Sequence, residues 1–231
     1  MGRHPPGILV LVVAAVIGVA RPCASQIPDA ARQAVAYVDV APPGVAVAVT
    51  AFRRYQDAVA REPGFVALDV FEQIGRPGHF AVIETWRDQA GYDAHQAASS
   101  LAGVKDALQP IRTSGYDQRP YRELSVGPSR AGGRNAIAVV AHVDIGGGAQ
   151  MLDVPAMLRS LAEASRAEPG CLRFDVTQHT MRANHFTVVE IWEDQQALDR
   201  HAAAAHTRRF RDEVQPVSGS PIDERIYRRL E

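Results

Sequence analysis

Hydrophobic and polar positions follow two different periods in the C-terminal half of the chain. AIAVVAHVD, from Ala136 to Asp144, is an apolar, β-branched run typical of a buried strand. In PAMLRSLAEASRA, which begins at Pro155, apolar or small residues recur at i, i+3, i+4 and i+7, and this spacing predicts a helix. The EPG turn ends it, because Gly170 can adopt the left-handed conformation of a C-terminal cap.

The remainder of this half predicts a hairpin, a helix and a last strand. CLRFDVTQ and HFTVVEIW are apolar enough for two strands joined across TMRAN. Asp194 is expected to cap a second helix that continues to about Val214, and ERIYRRL predicts the closing strand. The predicted order of elements is β-α-β-β-α-β, which is a ferredoxin-like unit.

The same pattern occurs twice in the chain. A shift of 106 positions (185 − 79) places His79 on His185 and HFAVIETWRDQAGYDAH on HFTVVEIWEDQQALDRH. Between Glu62 and Leu124, 26 of 63 positions are then identical without a gap, far beyond chance for this composition. SVGPSRAGGR lacks periodicity and reads as a linker. We therefore predict module 1 at 33–124, a linker at 125–134 and module 2 at 135–231.

Two helices can cover only one face of a four-stranded sheet. The other face of each module stays apolar and needs a partner. We expect the bare faces of the two sheets to pack together, so that the chain forms an α+β fold in which two ferredoxin-like modules make an intramolecular dimeric α/β-barrel. This pseudo-dimer removes the usual need for a second chain, although further self-association stays open.

The N-terminus differs from the rest of the chain. Arg3 and His4 precede an apolar run from Ile8 to Ala20, and small residues follow it. This layout predicts a secretory signal peptide over residues 1–25, because the run is shorter than the roughly 20 residues that span a bilayer. Cleavage is expected after Ser25 or Ala24, and a lipid anchor on Cys23 is the alternative. The mature protein is then periplasmic or secreted, without membrane attachment.

Composition excludes several classes of protein. The 231 residues are 46% hydrophobic and 22% charged, which suits a folded core, and the net charge of −1 gives no footprint for nucleic acid. Removal of Cys23 leaves Cys171 alone, so no intramolecular disulfide can form. Its place at the start of a strand favours a buried, inert thiol over a nucleophile.

Three segments carry a resemblance to a known family. EPGCLRFDV, HFTVVEIWED and HAAAAHTRRF resemble the antibiotic-biosynthesis monooxygenase family, and the resemblance covers both modules. It implies dimeric α+β barrels that oxidise phenols, quinols or anthrones with O₂ and without metal or flavin. The substrate would be deprotonated in an apolar pocket and would donate an electron to oxygen. The superfamily also contains haem-degrading enzymes and members without known activity.

The candidate catalytic residues lie in module 2. A neutral histidine suits the proton acceptor, and we single out His201 and His206. Five positions put them about 140° apart on a continuous helix, which is wrong for two metal ligands, so no metal is predicted. Glu190 and Trp192 share a strand face that could meet His201. Structurally, His201 would instead bond to backbone or carboxylate, Trp192 would fill the core, and Glu190 would accept a bond, for example from Arg225 or Arg119.

Five further residues with aromatic or ionisable side chains are expected to contact a small aromatic substrate. They are Tyr227, Phe210, His95, Trp86 and Glu84. Edge packing is the alternative for Tyr227. His95 matches His201, but Ser100 stands where module 2 has His206, so module 2 is the expected seat of activity and module 1 its structural mate.

The expected cofactor set is O₂ alone, as co-substrate. Haem is the runner-up, because haem-degrading relatives use a histidine, a tryptophan and an asparagine. Here Asn135 only begins a first strand, and module 1 contains no asparagine. His179 and His185 flank the hairpin turn, where a solvated loop is favoured over a zinc or copper site. A non-catalytic barrel that binds a small hydrophobic ligand is the alternative function.

Overall fold

The structure is a computed structural model that describes residues 1, 31–130, 132–147 and 152–230. The elements of module 1 are β1 (Arg32–Asp39), α1 (Val45–Val59), β2 (Phe65–Gln73), β3 (His79–Trp86), α2 (Gln89–Gln96), α3 (Ser99–Leu108) and β4 (Asp117–Ser125). Those of module 2 are β5 (Ile137–Asp144), α4 (Val154–Arg166), β6 (Cys171–His179), β7 (His185–Trp192), α5 (Gln195–Ala202), α6 (Ala205–Val214) and β8 (Asp223–Arg229). Each predicted strand is confirmed, in the predicted order.

The eight strands close into one antiparallel barrel in the order β1-β3-β2-β8-β5-β7-β6-β4. Each module contributes a four-stranded sheet, and the two sheets join where β2 pairs with β8 and where β4 pairs with β6. Neither sheet is therefore left with an unpaired edge among these strands, which removes the exposed backbone groups that favour aggregation. The predicted fold class, two ferredoxin-like modules in an intramolecular barrel, is confirmed.

Alternation along the strands divides the core into three parts. On β1, Ala36 and Val38 pack under the helices of module 1, whereas Val35 faces the barrel interior. Module 2 repeats this arrangement, with Val188 on the helix side of β7 and Val189 inside. The helices thus cover the outside of the barrel, and the two bare sheet faces bury each other inside it. This is the physical reason for the repeated module.

The second helix of each module is broken, which corrects the prediction of one continuous helix. Asp194 caps α5 as predicted, its carboxylate accepting a hydrogen bond from the backbone N–H of Ala197. The helix then stops, because Ala204 is extended (ψ 146°) where a helix needs a negative ψ. Ala98 does the same in module 1 (ψ 147°). The break redirects α3 and α6 relative to the helices that precede them.

A buried ion cluster links the modules across the barrel interior. Arg173 on β6 donates to Asp69 on β2 at 2.8 Å and to Asp175 at 2.5 Å, and all three side chains are at most 5% exposed. Arg229 on β8 adds a second contact to Asp69. Removing the central guanidinium would leave two carboxylates buried without their main partner, which is strongly unfavourable.

Within the described residues, no helix is both long and apolar enough to cross a membrane. The predicted signal segment falls almost entirely on residues 2–30, outside the described residues, and so stays a prediction. Cys171 is buried, as predicted, and burial raises the pKa of its thiol to about 11. It is therefore protonated at neutral pH and chemically inert.

We expect Arg173→Met to lower the free energy of unfolding by about 3–5 kcal/mol, because Asp175 then lacks its buried cationic partner and Asp69 keeps only Arg229. Urea unfolding of the purified protein at neutral pH measures the change. Arg209→Met is the control, since Arg209 and Glu213 form an exposed pair on α6, and its midpoint should match the wild type. Equal midpoints for all three proteins would contradict a structural role for the interior cluster.

Candidate functional site

The site in module 2 is built around a carboxylate at the end of α4. Gly170 adopts φ +87°, as predicted for the EPG turn, and the chain reverses there into β6. This turn places Glu168, two residues before Gly170, beside the helices α5 and α6. Its side chain is 15% exposed, so its oxygens face protein more than water.

His201 is held in one orientation by that carboxylate. Its Nδ1 lies 2.6 Å from Glu168 Oε1, and its ring stacks on Trp192 with centroids 4.5 Å apart. A carboxylate accepts hydrogen bonds only, so the proton sits on Nδ1 when the ring is neutral. Nε2 then carries the lone pair, as in the carboxylate–histidine pairs that orient catalytic bases. The hydroxyl of Thr207 lies 3.5 Å from this nitrogen, at the long limit of a hydrogen bond.

Glu190 lies on the other side of His201. Its Oε2 accepts a hydrogen bond from Trp192 Nε1 at 2.7 Å and lies 3.8 Å from His201 Nε2. The two residues on β7 do share a face, and that face meets the histidine, as the sequence suggested. The considered ion pairs with Arg225 and Arg119 do not form, because these arginines pair with Asp223 and Asp117.

A small cavity opens between the sheet and the helices at this point. Its volume is about 20 Å³, room for about one water molecule, and its walls include Leu161, Glu190, His201, Thr207 and Phe210. A groove of about 520 Å³ lies outside it between α4 and α6, where His206 and Met157 contribute to the walls. Leu161 and Phe210 belong to both, so these two side chains separate the groove from the cavity.

Burial shifts the pKa values of both ionisable groups at the cavity towards the neutral forms. Desolvation raises the pKa of Glu190 to about 7, although the hydrogen bond from Trp192 lowers it. Burial also lowers the pKa of His201, and the contact with Glu168 offsets only part of that effect. At neutral pH the site thus offers a neutral imidazole and a carboxyl group whose pKa is close to that pH. This is the pairing that acid–base chemistry needs.

Module 1 contains the same arrangement, but a tyrosine fills it. His95 bonds to Glu62 through Nδ1 (2.8 Å) and stacks on Trp86 at 4.4 Å, as its counterpart does. Tyr55 then bridges the gap, with its hydroxyl 2.6 Å from Glu84 and 2.9 Å from His95 Nε2. The shift of 106 places Leu161 at this position in module 2 (161 − 55), and leucine offers no hydroxyl to Nε2 of His201.

The two modules also differ at the second contact of the carboxylate. In module 2, His206 Nε2 lies 2.9 Å from Glu168 Oε1, and in module 1 the hydroxyl of Ser100 donates to Glu62 instead. The expectation that His201 and His206 point about 140° apart on one helix is wrong. It assumed a continuous helix, and the break at Ala204 lets both rings reach one oxygen, with ring centroids 5.8 Å apart.

The structure brings together five of the nine predicted site residues, which are His201, His206, Glu190, Trp192 and Phe210. Glu84, Trp86 and His95 form the filled counterpart in module 1. Tyr227 lies apart from both, because it points into the barrel interior and contacts Phe71, on the opposite sheet face from Glu190. Packing, the alternative considered for Tyr227, describes its surroundings.

The solvated-loop expectation for His179 and His185 is wrong. Both are buried, because the strands of the hairpin extend to these residues and Tyr121 of module 1 packs on them. His185 also bonds to Asp144 at 2.5 Å. Barrel closure brings Tyr121 onto these histidines, and the sequence of the hairpin alone does not predict this contact.

Sequence reasoning missed the two residues that decide the site. Glu168 carried a signal, since it is identical to Glu62 in the repeat and precedes the Pro-Gly turn in both modules. Leu161 carried a weaker one, as the repeat partner of Tyr55 in the predicted helix. Each position already had a structural explanation: Glu168 marks a helix end and Leu161 is a core position. Neither therefore received a functional interpretation.

Comparison with known proteins agrees with this architecture. A family model described as antibiotic biosynthesis monooxygenase matches residues 32–105 and 136–213, once in each module. A "Putative monooxygenase" of Fusobacterium nucleatum has a similar structure, with a TM-score of 0.78 at 13% identity over 88% of this chain and 94% of that one. At that identity the likeness concerns the fold alone.

Two relatives match by sequence over less than the length of one module. "Putative monooxygenase YcnE" of Bacillus subtilis is 31% identical over 65 residues, which are 28% of this chain and 68% of that protein. An uncharacterized protein of Synechocystis is 28% identical over 73 residues, 32% of this chain. That match spans only half of the cyanobacterial protein's length.

The raised pKa of Glu190 predicts a pH-dependent stability. Between about pH 4.5 and 7 the folded protein keeps a proton that the unfolded chain has released, so stability falls as pH rises through this window. From pH 5 to pH 8 the wild type should lose on the order of 2 kcal/mol more unfolding free energy than Glu190→Gln, at roughly 1.4 kcal/mol per pKa unit.

Urea unfolding at the two pH values measures this difference. Glu163→Gln is the control, because Glu163 is exposed on α4 and should behave as the wild type. Parallel pH dependence in the wild type and Glu190→Gln would show that Glu190 titrates in its ordinary range.

Proposed function

The chain belongs to the antibiotic biosynthesis monooxygenase family, and we propose that module 2 oxidises a small quinol, phenol or anthrone-like aromatic with O₂, without metal or flavin. The observation that carries the proposal is that no tyrosine occupies Nε2 of His201, which has a long contact of 3.5 Å with the Thr207 hydroxyl. Glu168 fixes the proton on Nδ1, so Nε2 faces the cavity as an acceptor. The same atom in module 1 is occupied by Tyr55, so module 1 serves as the structural half.

The first step is proton transfer from the substrate to His201. A phenolic hydroxyl or an activated C–H near Nε2 loses its proton, and the imidazolium that forms is stabilised by the Glu168 carboxylate. Because burial lowers the pKa of His201, the ring is neutral and ready to accept at neutral pH. The resulting anion is electron-rich enough to reduce O₂.

Glu190 supplies the complementary group. With its pKa near 7, a large part of the population is a neutral carboxylic acid at neutral pH, and a neutral acid can donate a hydrogen bond to the substrate oxyanion. Trp192 holds its second oxygen, which leaves the other oxygen for the substrate. Leu161 and Phe210 supply apolar walls, while Arg211 and Glu224 also line the cavity; a substrate that displaces the water there would strengthen both contacts.

The overall reaction balances with the substrate as sole reductant. The aromatic loses two hydrogen atoms and gains one oxygen atom, while the second oxygen of O₂ leaves as water. The four electrons that this requires come from the substrate, so no external reductant enters. The residues described here bind, orient and move the proton, and they do not themselves change oxidation state.

Substrate access requires a change in Leu161 and Phe210. The cavity of about 20 Å³ is too small for an aromatic ring, but the outer groove of about 520 Å³ has the volume of a small-molecule site. Rotation of Phe210, which separates them, would join the two spaces. We propose that the groove is the entrance, with His206 at its wall.

Leu161→Tyr is expected to abolish oxidation, because the new hydroxyl should bridge Glu190 and His201 as Tyr55 bridges Glu84 and His95 in module 1. O₂ uptake with menadiol and dihydroxyanthracene, corrected for autoxidation, measures the loss. The thermal midpoint should stay near that of the wild type, since module 1 accommodates the same contacts. Tyr55→Phe is the matched control in the other module and should retain activity. Full activity in Leu161→Tyr would contradict the assignment.

His201→Ala is expected to lower kcat by about 10²–10⁴-fold, the usual contribution of a positioned base. In the wild type, kcat/KM should fall as pH drops through the pKa of His201, with its acid limb below the ordinary histidine value of about 6.5. Steady-state O₂ uptake across pH gives both quantities. If the wild type binds these aromatics but no substrate exceeds the blank, the non-catalytic binding barrel is the better description.

A further inference from the structure

Three potential metal ligands of module 2 meet at one point. Glu168, His201 and His206 each offer one ligand atom, and these three atoms lie within 4.8 Å of one another. His201 Nδ1 and His206 Nε2 already contact the same oxygen, Glu168 Oε1, at 2.6 and 2.9 Å. Two imidazoles and one carboxylate are a ligand set that Zn²⁺ and related divalent transition metals accept.

From this geometry we propose that Glu168, His201 and His206 bind a divalent transition metal ion, with Zn²⁺ as the reference ion, and that the bound ion inhibits oxidation. With bonds of about 2.0–2.1 Å, the ligand atoms of a tetrahedral zinc site lie about 3.3 Å apart. The observed separations from Glu168 Oε1 differ from that by less than about 1 Å, and the third separation is at most 4.8 Å, so side-chain rotations can bring the three ligand atoms to the distances of a zinc site. The side chain of His206 is 30% exposed, which leaves a path for the ion and a water as fourth ligand.

The chain itself supports the specificity of this set. Module 1 keeps the carboxylate and the first histidine, as Glu62 and His95, but replaces the second histidine by Ser100. A serine hydroxyl preserves the hydrogen bond to the carboxylate and is a poor ligand for zinc. Module 2 therefore has a third strong ligand that the hydrogen-bonded arrangement alone does not require.

The inhibitory part rests on the proposed function and follows from imidazole chemistry. A neutral ring carries one proton, and a metal on Nδ1 of His201 moves that proton to Nε2. Nε2 then cannot accept a proton from a substrate in the cavity. Metal binding also withdraws Glu168 from its role as the partner of Nδ1, so both features that prepare His201 as a base are lost together.

The test is Zn²⁺ titration of the untagged, EDTA-stripped full-length chain by calorimetry, with Co²⁺ absorption as a measure of coordination geometry. We expect one ion per chain and a tetrahedral Co²⁺ spectrum. His206→Ser, which copies module 1, should weaken binding at least about tenfold, since the loss of outer contacts alone has that effect. If His206→Ser folds poorly, His206→Gln carries the same comparison.

His79→Ser is the matched control, because His79 is a partly exposed histidine that pairs with Asp39 in module 1. It should leave the zinc affinity unchanged. The metal site is overturned if His206→Ser binds zinc as tightly as the wild type, if His79→Ser weakens binding equally, or if no ion binds.

Activity separates this proposal from the one on which it rests. O₂ uptake should fall in proportion to zinc occupancy and return with EDTA. Zinc binding without any oxidation in the metal-free protein would sink the proposed function and leave the metal site standing. Oxidation that persists at full zinc occupancy would overturn the inhibitory part alone.

Discussion

Each four-stranded sheet of this protein has one face that its own helices cannot cover, and the rest of the structure depends on burying that face. The two sheets solve this together, by pairing β2 with β8 and β4 with β6 and by packing Val35, Val189 and their neighbours inside the closed barrel. Because both sheets are parts of one chain, the pairing does not depend on protein concentration. The cross-barrel contact from Arg173 to Asp69 exists only in this closed form.

Covalent linkage of the two halves also permits them to differ. In a dimer of identical chains both sites carry the same residues, whereas here Tyr55 closes one site and Leu161 leaves the other open. The closed site gains two hydrogen bonds and a filled core. Burial raises the pKa of the carboxyl in both sites, Glu84 and Glu190, but in the open site no tyrosine hydroxyl binds it. That arrangement is unfavourable for stability and useful for acid–base chemistry.

Much of the fold could be predicted from the sequence. The strand pairs, the cap at Asp194 and the turn at Gly170 follow from periods and residue types within one segment, and the repeat gave the number of modules. The site was predicted in part. Glu190 and Trp192 share a face because strand geometry requires it, and they do meet His201. The contact between His201 and His206 was missed, since five positions on an unbroken helix point apart.

The sequence by itself determined which segments form strands and helices, and that two like modules share one core, because these depend on local preferences and on a repeat that can be counted. Tertiary structure alone decided what His201 faces. Leu161 lies on α4 and Glu168 just after it, whereas Glu190 comes from β7 and His206 from α6. Their convergence depends on the extended backbone at Ala204 and on how α4 and α6 lie on the sheet. Spacing along the chain does not specify such distances, because they arise from packing between elements and not within them.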